Sequence, residues 1–403
     1  MSITVCLSTN QTLNYPQGGG HLWVYLNWAL GLRALGCEVI WLETVSREES
    51  VSALNRRRRL ERDGLVERPS DLVHEVQVNV ATLKRRLERY GLAEHLALCA
   101  RSGEILPDEV TKGCLNLEAA AEADLLLNLR YNLPGEVVER FRRSALLDID
   151  PGLLQIWMSQ GLISVPQHDM YFTIGETVGQ PGARFPDLTL KWHYTPPPVF
   201  LPEWPPVQAD SMASYTTVSH WWEPKPAGWV EVQGEYRNNE KRTAFLDYLD
   251  LPSRTSTQLE LALSLTPEDE DEGRLLEERG WKIRHAWTVS SEPEQYRTYI
   301  QQSRGEFSVV KPSCVWLSNA WISDRTLCYL ASAKPAVVQH TGSSRFLPDS
   351  EGLFRFRNLE EATRALCAVE ADYERHCRLA RELAEEHFDA QKVVGRVLER
   401  ALA

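Results

Sequence analysis

Lys311 closes an apolar run, Phe307–Val310, and Ser323-Asp324-Arg325 opens a helical one. An ammonium, a guanidinium and the free N–H groups of a helix start can together hold a diphosphate. An exposed ion pair explains either cation taken singly, but two of them beside one helix start point to an anion site. Gln339, Thr341 and Gly342 end the next run, Pro335–Gln339, and would face the same cavity. Further upstream, Gly18-Gly19-Gly20 either lets the backbone pass close to a ligand or makes a tight turn. His21 follows, a side chain that titrates near neutrality. Asp150, between the run Ala145–Ile149 and Pro151-Gly152, is placed to act as general base or to cap a helix starting near Leu153. Glu176 ends the run Tyr171–Ile174, where it can bind a sugar hydroxyl or turn the chain beside Gly175.

These residues share one feature: each follows a run of strand length. In open parallel sheets, ligands bind beyond the carboxyl ends of the strands. The first such unit is Ile3–Leu7, the triple glycine, a helix carrying Leu22, Leu26, Ala29 and Ala34, a stop at Gly36, and Val39–Leu42. This strand–helix–strand pattern predicts a parallel sheet. Residues 51–100 read as helical, and Leu125–Leu129, Ala145–Ile149 and Tyr171–Ile174 as further strands. Residues 195–206, TPPPVFLPEWPP, hold six prolines and exclude a helix or a central strand. A second alternating series follows: Thr216–Ser219, Leu259–Leu263, Lys282–Ala286, Phe307–Val310, Pro335–Gln339 and Leu353–Phe356, with helices between and a helical tail from Leu359 to Leu402. The expected fold is α/β, with two Rossmann-like domains facing a cleft. Their predicted bounds are 1–200 and 201–385, with 386–403 as a final helix packing back on the first domain.

Composition narrows the function. The 403 residues carry 44 Lys plus Arg against 56 Asp plus Glu, a net charge of −12 that disfavours a broad nucleic-acid surface. The run Arg56–Arg59 has acidic residues close by and reads as a solvated helix face. No apolar stretch reaches the ~18–20 residues of a membrane span, and the first residues lack a signal-peptide pattern. Eight scattered cysteines, with no CxxC, suit reduced thiols rather than a disulfide framework or a zinc site. Thirteen tryptophans invite stacking roles for Trp221, Trp222, Trp316 or Trp321, with core packing the commoner use. His168-Asp169 precedes its strand and so should point away from the cleft. The expected location is cytoplasmic.

The stretch GEFSVVKPSCVWLSNAWISDRTLCYLASAKPAVVQHTG, followed by LPDSEGLFRFRNLEEATRAL, resembles the nucleotide-sugar half of bacterial GT-B glycosyltransferases. GLRALGCEVIWLE, LDIDPG and FTIGETVG are similar to the other half of a glycosyltransferase-like group of that fold. The resemblance implies Lys311 and Arg325 on the donor diphosphate, Asp324 where the group often has Glu, and Gln339, Thr341 and Gly342 lining the donor pocket. The glutamate pair of better-known retaining members is missing, with Trp321 and Cys328 in its place, and His340 replaces an Asp. The implied activity is metal-independent transfer from a nucleoside diphosphate sugar to a small-molecule or glycan acceptor, with no further cofactor. Asp150 and His21 are the candidate catalytic residues, and Gly18, Gly19, Gly20 and Glu176 the acceptor or phosphate loop. The alternatives are a sugar-nucleotide epimerase of the same fold and an inactive nucleotide-sugar-binding protein.

Overall fold

The computed structural model describes residues 2–15, 18–62, 72–101, 106–222, 228–232 and 234–403, with residues 54 and 56–62 described by their backbone alone. Seven strands form the first sheet: β1 (Thr4–Ser8), β2 (Glu38–Val45), β3 (Leu96–Ala100), β4 (Leu125–Asn128), β5 (Ser144–Asp148), β6 (Met170–Thr173) and β7 (Trp192–Tyr194). Their order is β3-β2-β1-β4-β5-β6-β7, and every pairing is parallel. Central strands such as Val5-Cys6-Leu7 and Leu125-Leu126-Leu127 are almost wholly buried. Helices cover both faces of such a sheet, so its strands carry continuous apolar runs rather than alternation.

The second sheet contains β8 (Tyr215–Ser219), β11 (Leu259–Leu263), β12 (Lys282–His285), β13 (Gly305–Ser308), β14 (Ala336–Gln339), β15 (Ser350–Glu351) and β16 (Leu353–Phe356). Its order is β12-β11-β8-β13-β14-β16-β15, parallel apart from the short edge strand β15. A separate antiparallel hairpin, β9 (Trp229–Val232) and β10 (Glu235–Asn238), follows β8. In each sheet the strand order reverses beside its first strand, at β1/β4 and at β8/β13. Those reversals open a crevice at the strand ends.

Several elements differ from the sequence expectation, the short edge strand β15 among them. Leu96–Ala100, read as the end of a helical stretch, is the edge strand β3; a single turn at Ala93–His95 separates it from the helix before. The strand β7 and the hairpin lay outside any predicted strand, being short and rich in aromatic and polar residues. The arginines Arg56–Arg59 fall on the Arg47–Arg62 helix, and their side chains lie outside the described residues.

The proline-rich stretch crosses between the sheets. It is tied by Val199 N–H to the Phe388 carbonyl at 2.8 Å and buries Trp204 completely. The last helix, Ala390–Leu402, then lies on the Gly19–Ala34 helix, where a side chain at Gly31 would meet Val394 at 2.9 Å. One apolar core consequently runs through the base of both lobes, from Leu22 and Trp23 to Leu327 and Val393. Among the described residues no helix is long and apolar enough to cross a membrane.

Candidate functional site

A cavity of about 300 Å³ lies between the carboxyl ends of the two sheets. The first lobe contributes Gly18, Gly20, His21 and Asp150; the second contributes Lys311, Asp324 and Arg325. The strand-end rule selects all of these but His21, which stands out as the residue after the triple glycine, and the fold brings them into one hollow.

Asp150 owes its position to a buried scaffold. Asp148, fully buried, accepts hydrogen bonds from Gln155 Nε2 and Thr173 Oγ1, both at 2.9 Å, and from the Asp150 backbone N–H. Burial pushes its pKa up to about 7, against the lowering effect of those bonds. Gln155 also accepts the Gly152 N–H, so the helix Leu153–Ser159 is capped from within. Gly152 sits at φ +87°, a left-handed geometry suited to glycine. The Asp150 carboxylate therefore does no capping; it accepts the Tyr131 hydroxyl at 3.0 Å and borders the cavity.

His21 Nε2 lies 2.8 Å from the Asn10 carbonyl. A carbonyl can only accept, so Nε2 carries the hydrogen and Nδ1 is the basic nitrogen of the neutral ring. The imidazole is packed edge-on against Tyr15 and Tyr25. Tyr15 in turn faces His220 of the second lobe, 6.2 Å between centroids, so that rings from both lobes close one end of the hollow.

On the second lobe, Lys311 precedes the Pro312–Leu317 helix. Ser323 caps the helix Asp324–Ala331, accepting from the Arg325 N–H. Arg325 is bound more tightly than its sequence position suggests. Its Nε meets the fully buried Glu306 at 2.8 Å and its Nη1 donates to the Val218 carbonyl at 2.8 Å. Much of its charge is thus answered within its own lobe. Burial raises the Asp324 pKa, and the neighbouring Arg325 lowers it less. Cys314 shows how closely the opposing charges converge. Burial pushes its thiol up to about 11; Lys311 and Lys241 act to lower it, and Asp150 to raise it.

Several predicted residues stand outside the cavity. A methyl group at Gly19 would lie 2.3 Å from the Glu292 carbonyl carbon, so this glycine serves a contact between the lobes. Gly20 lines the cavity and also touches the Tyr296 ring, 2.7 Å from where a Cβ would stand. Glu176 is occupied across the lobes by Ser344 Oγ at 2.7 Å and by Arg345, through its N–H at 2.8 Å and its Nε at 2.7 Å. Gln339 lies behind the site, accepting the Val310 N–H at 3.1 Å and bordering a hollow of only about 20 Å³. Thr341 donates to the Trp321 carbonyl at 2.6 Å. Gly342, at φ +126°, abuts Ser318, where a Cβ would be 2.7 Å from its carbonyl oxygen. These last two hold the loop that brings Asn319 and Trp321 to the cavity wall. Cys328 is buried in the core, and His168 is buried against Asn128 and Pro166, well away from the cleft.

The sequence reading missed Lys241, which borders both hollows. It starts the short helix Lys241–Leu246 after the polar residues Asn238-Asn239-Glu240. The reasoning about helix starts that singled out Arg325 applies equally there. Among the described residues no group of three His, Cys, Asp or Glu side chains is arranged to hold a metal ion.

The chain is similar in structure to sucrose-phosphate synthase from Thermosynechococcus elongatus, at 10% identity, with a TM-score of 0.53 over 99% of this chain and 98% of that one. It is also similar to AviGT4, a glycosyltransferase involved in avilamycin A biosynthesis, at 15% identity, with a TM-score of 0.51 over 99% and 97%. No protein-family model matches the chain, and no curated protein matches it. At such identities the likeness is one of fold. The chain has the GT-B fold, two Rossmann-like lobes facing a cleft.

Proposed function

We propose that the protein is a glycosyltransferase that takes a sugar from a nucleoside diphosphate donor held on the second lobe and passes it to an acceptor on the first. One observation carries this reading: Lys241, Lys311, Arg325 and a helix N-terminus border the same hollow as Asp150 and His21 of the opposite lobe. Breaking the bond between a sugar and a diphosphate loads negative charge onto the leaving group. Fixed cations in a cleft shielded from water stabilise that charge most. The lysines would meet the diphosphate, while Arg325, already shared with Glu306, would act mainly by orienting the helix start. This assignment keeps the reaction metal-independent, with cationic side chains where other enzymes use a divalent ion. Asp150 or the His21 Nδ1 would accept the proton of the attacking acceptor hydroxyl if the reaction inverts the anomeric centre.

Calorimetry with UDP, GDP, ADP and dTDP, and with sugars attached to each, tests the reading. We expect at least one nucleotide to bind, with Lys241→Ala and Lys311→Ala each weakening it roughly tenfold or more, in line with the loss of a charge-assisted contact. Turnover should persist in EDTA. Unchanged affinity in both lysine variants would reject the donor site. Arg325→Ala is the poorer probe, because it leaves Glu306 buried without its partner and unsettles the lobe itself.

A further inference from the structure

A groove of about 980 Å³ lies beside the cleft, where the hairpin β9–β10 reaches from the second lobe onto the first. Trp157, Leu162 and Ile163 form one wall, and Trp229 and Tyr236 the other. Tyr236 is 70% exposed, Trp229 47% and Leu162 71%. The hairpin is anchored: Val230 is buried with Tyr131, Leu153 and Ile156 of the first lobe, and Gln160 Nε2 donates to the Glu231 carbonyl at 3.0 Å. Its rings are therefore presented from a fixed frame. Exposed aromatic residues gathered along a groove mark a binding surface more often than leftover core.

The chemistry of the walls selects the ligand. Flat apolar faces share the groove with amide groups at Asn132 and Gln160; Arg101 is held by Glu49 at 3.3 Å, and Glu231 brings a carboxylate that can accept from hydroxyl groups. A sugar ring matches this, with apolar C–H faces, a hydroxylated edge and no net charge. The Leu153–Ser159 helix begins at the cleft, where Pro151 and Leu153 border the cavity, and ends at the groove beside Trp157 and Gln160. At ~1.5 Å per residue it spans ~10 Å, about the length of a disaccharide.

We propose that this groove binds a neutral oligosaccharide acceptor, with its inner units on Trp229 and Tyr236 and its end reaching towards Asp150. The proposal rests on the transferase reading and narrows the acceptor to a glycan.

The test titrates the full-length protein with neutral oligosaccharides of the gluco, galacto, manno and N-acetylglucosamine series, long enough to cover both rings, followed by tryptophan fluorescence and calorimetry. At least one should bind, and Trp229→Ala and Tyr236→Ala should each weaken it roughly tenfold. Affinity for the nucleoside diphosphate should stay unchanged in both variants, and Trp222→Ala, at an exposed ring outside the groove, should leave both ligands bound as in the wild type. The proposal is overturned if no oligosaccharide binds or if both variants bind like the wild type. It is equally overturned if Trp229 becomes protected through a concentration-dependent dimer. Oligosaccharide binding lost in the two variants, in a protein that binds no nucleotide, would uphold the groove and remove the donor reading instead.

Discussion

The two lobes meet twice, and the two contacts are built differently. At the base, the Gly19–Ala34 and Pro293–Gln302 helices approach so closely that only glycine fits at positions 19 and 20. Trp23 donates to the Pro293 carbonyl at 2.9 Å and packs on Trp204, 4.8 Å between ring centroids. Arg86, 6% exposed, reaches across to both oxygens of Glu292 at 2.9 Å. At the rim the contacts are polar: Arg345 on Glu176, Asn319 on the Pro151 carbonyl at 2.8 Å, and Thr177 on the Ser318 carbonyl at 3.3 Å. Water can take the place of the exposed Arg345 guanidinium at little cost, whereas nothing replaces the packing at the base. A cleft made this way is expected to open at its rim before its base.

Gly19→Val strikes that contrast hardest. Its Cβ would collide with the Glu292 backbone, so unfolding in urea should show a loss of several kcal/mol, about 3 or more. A loss within ~0.5 kcal/mol would mean the base is no tighter than the rim.

Arg86→Ala comes next, at about 2–3 kcal/mol, because it breaks charge-assisted bonds to Glu292 and to the Ser291 carbonyl in a largely buried setting. It should also change the acid response. Burial pushes the Glu292 pKa up, but Arg86 and Arg85 outweigh it and hold the group below the usual carboxylate range. A depressed pKa adds stability that is present above the unfolded value, ~4.3, and lost as the pH falls through the folded one. Acid denaturation should accordingly lose part of its steepness in the variant.

At the rim, Arg345→Ala should change global stability by no more than about 1 kcal/mol, since the guanidinium is mostly exposed. Its effect should appear as a larger radius of gyration in solution scattering and a few-fold weaker nucleotide affinity. A stability loss as large as that of Arg86→Ala would erase the distinction between the contacts.

A last effect, read as a pH dependence, is expected at the turn that supports the rim. Asp148, raised to about 7, holds its proton more tightly folded than unfolded. The stability it contributes is complete below ~pH 4 and fades as the pH rises through 7, the opposite sense to Glu292. The thermal midpoint should fall more between pH 5 and 8 in the wild type than in Asp148→Asn. An equal fall would remove this group from the account.

Much of the architecture was legible because parallel strands covered on both faces must be continuously apolar. Val5-Cys6-Leu7, Leu125-Leu126-Leu127 and Leu261-Ala262-Leu263 announce themselves in that way. Leu96–Ala100 did not, although Gly91 at φ +64° stops the helix before it, because the single turn Ala93–His95 carries the helical pattern up to the strand. The hairpin failed for another reason: its stability comes from Val230 entering the first lobe, a contact invisible in its own sequence. The cavity lining was readable where strand ends locate it, at Asp150, Lys311, Asp324 and Arg325, and at His21 through the glycine loop before it. Lys241 was passed over because it follows a hairpin rather than a strand of the sheet. Glu176 was read as a group for a ligand because its partner, Arg345, is distant in the chain.

The order of residues alone determined two parallel α/β units, their proline-rich join, and which side chains stand at strand ends, because hydrophobic period and backbone breakers act locally. Tertiary structure alone decided how those side chains are used. Arg325 is shared with Glu306, Glu176 is spent on a contact across the lobes, and Gly19 answers to a backbone more than two hundred and fifty residues away. Partnership and burial depend on which surfaces come together in space, and no local pattern along the chain carries that information.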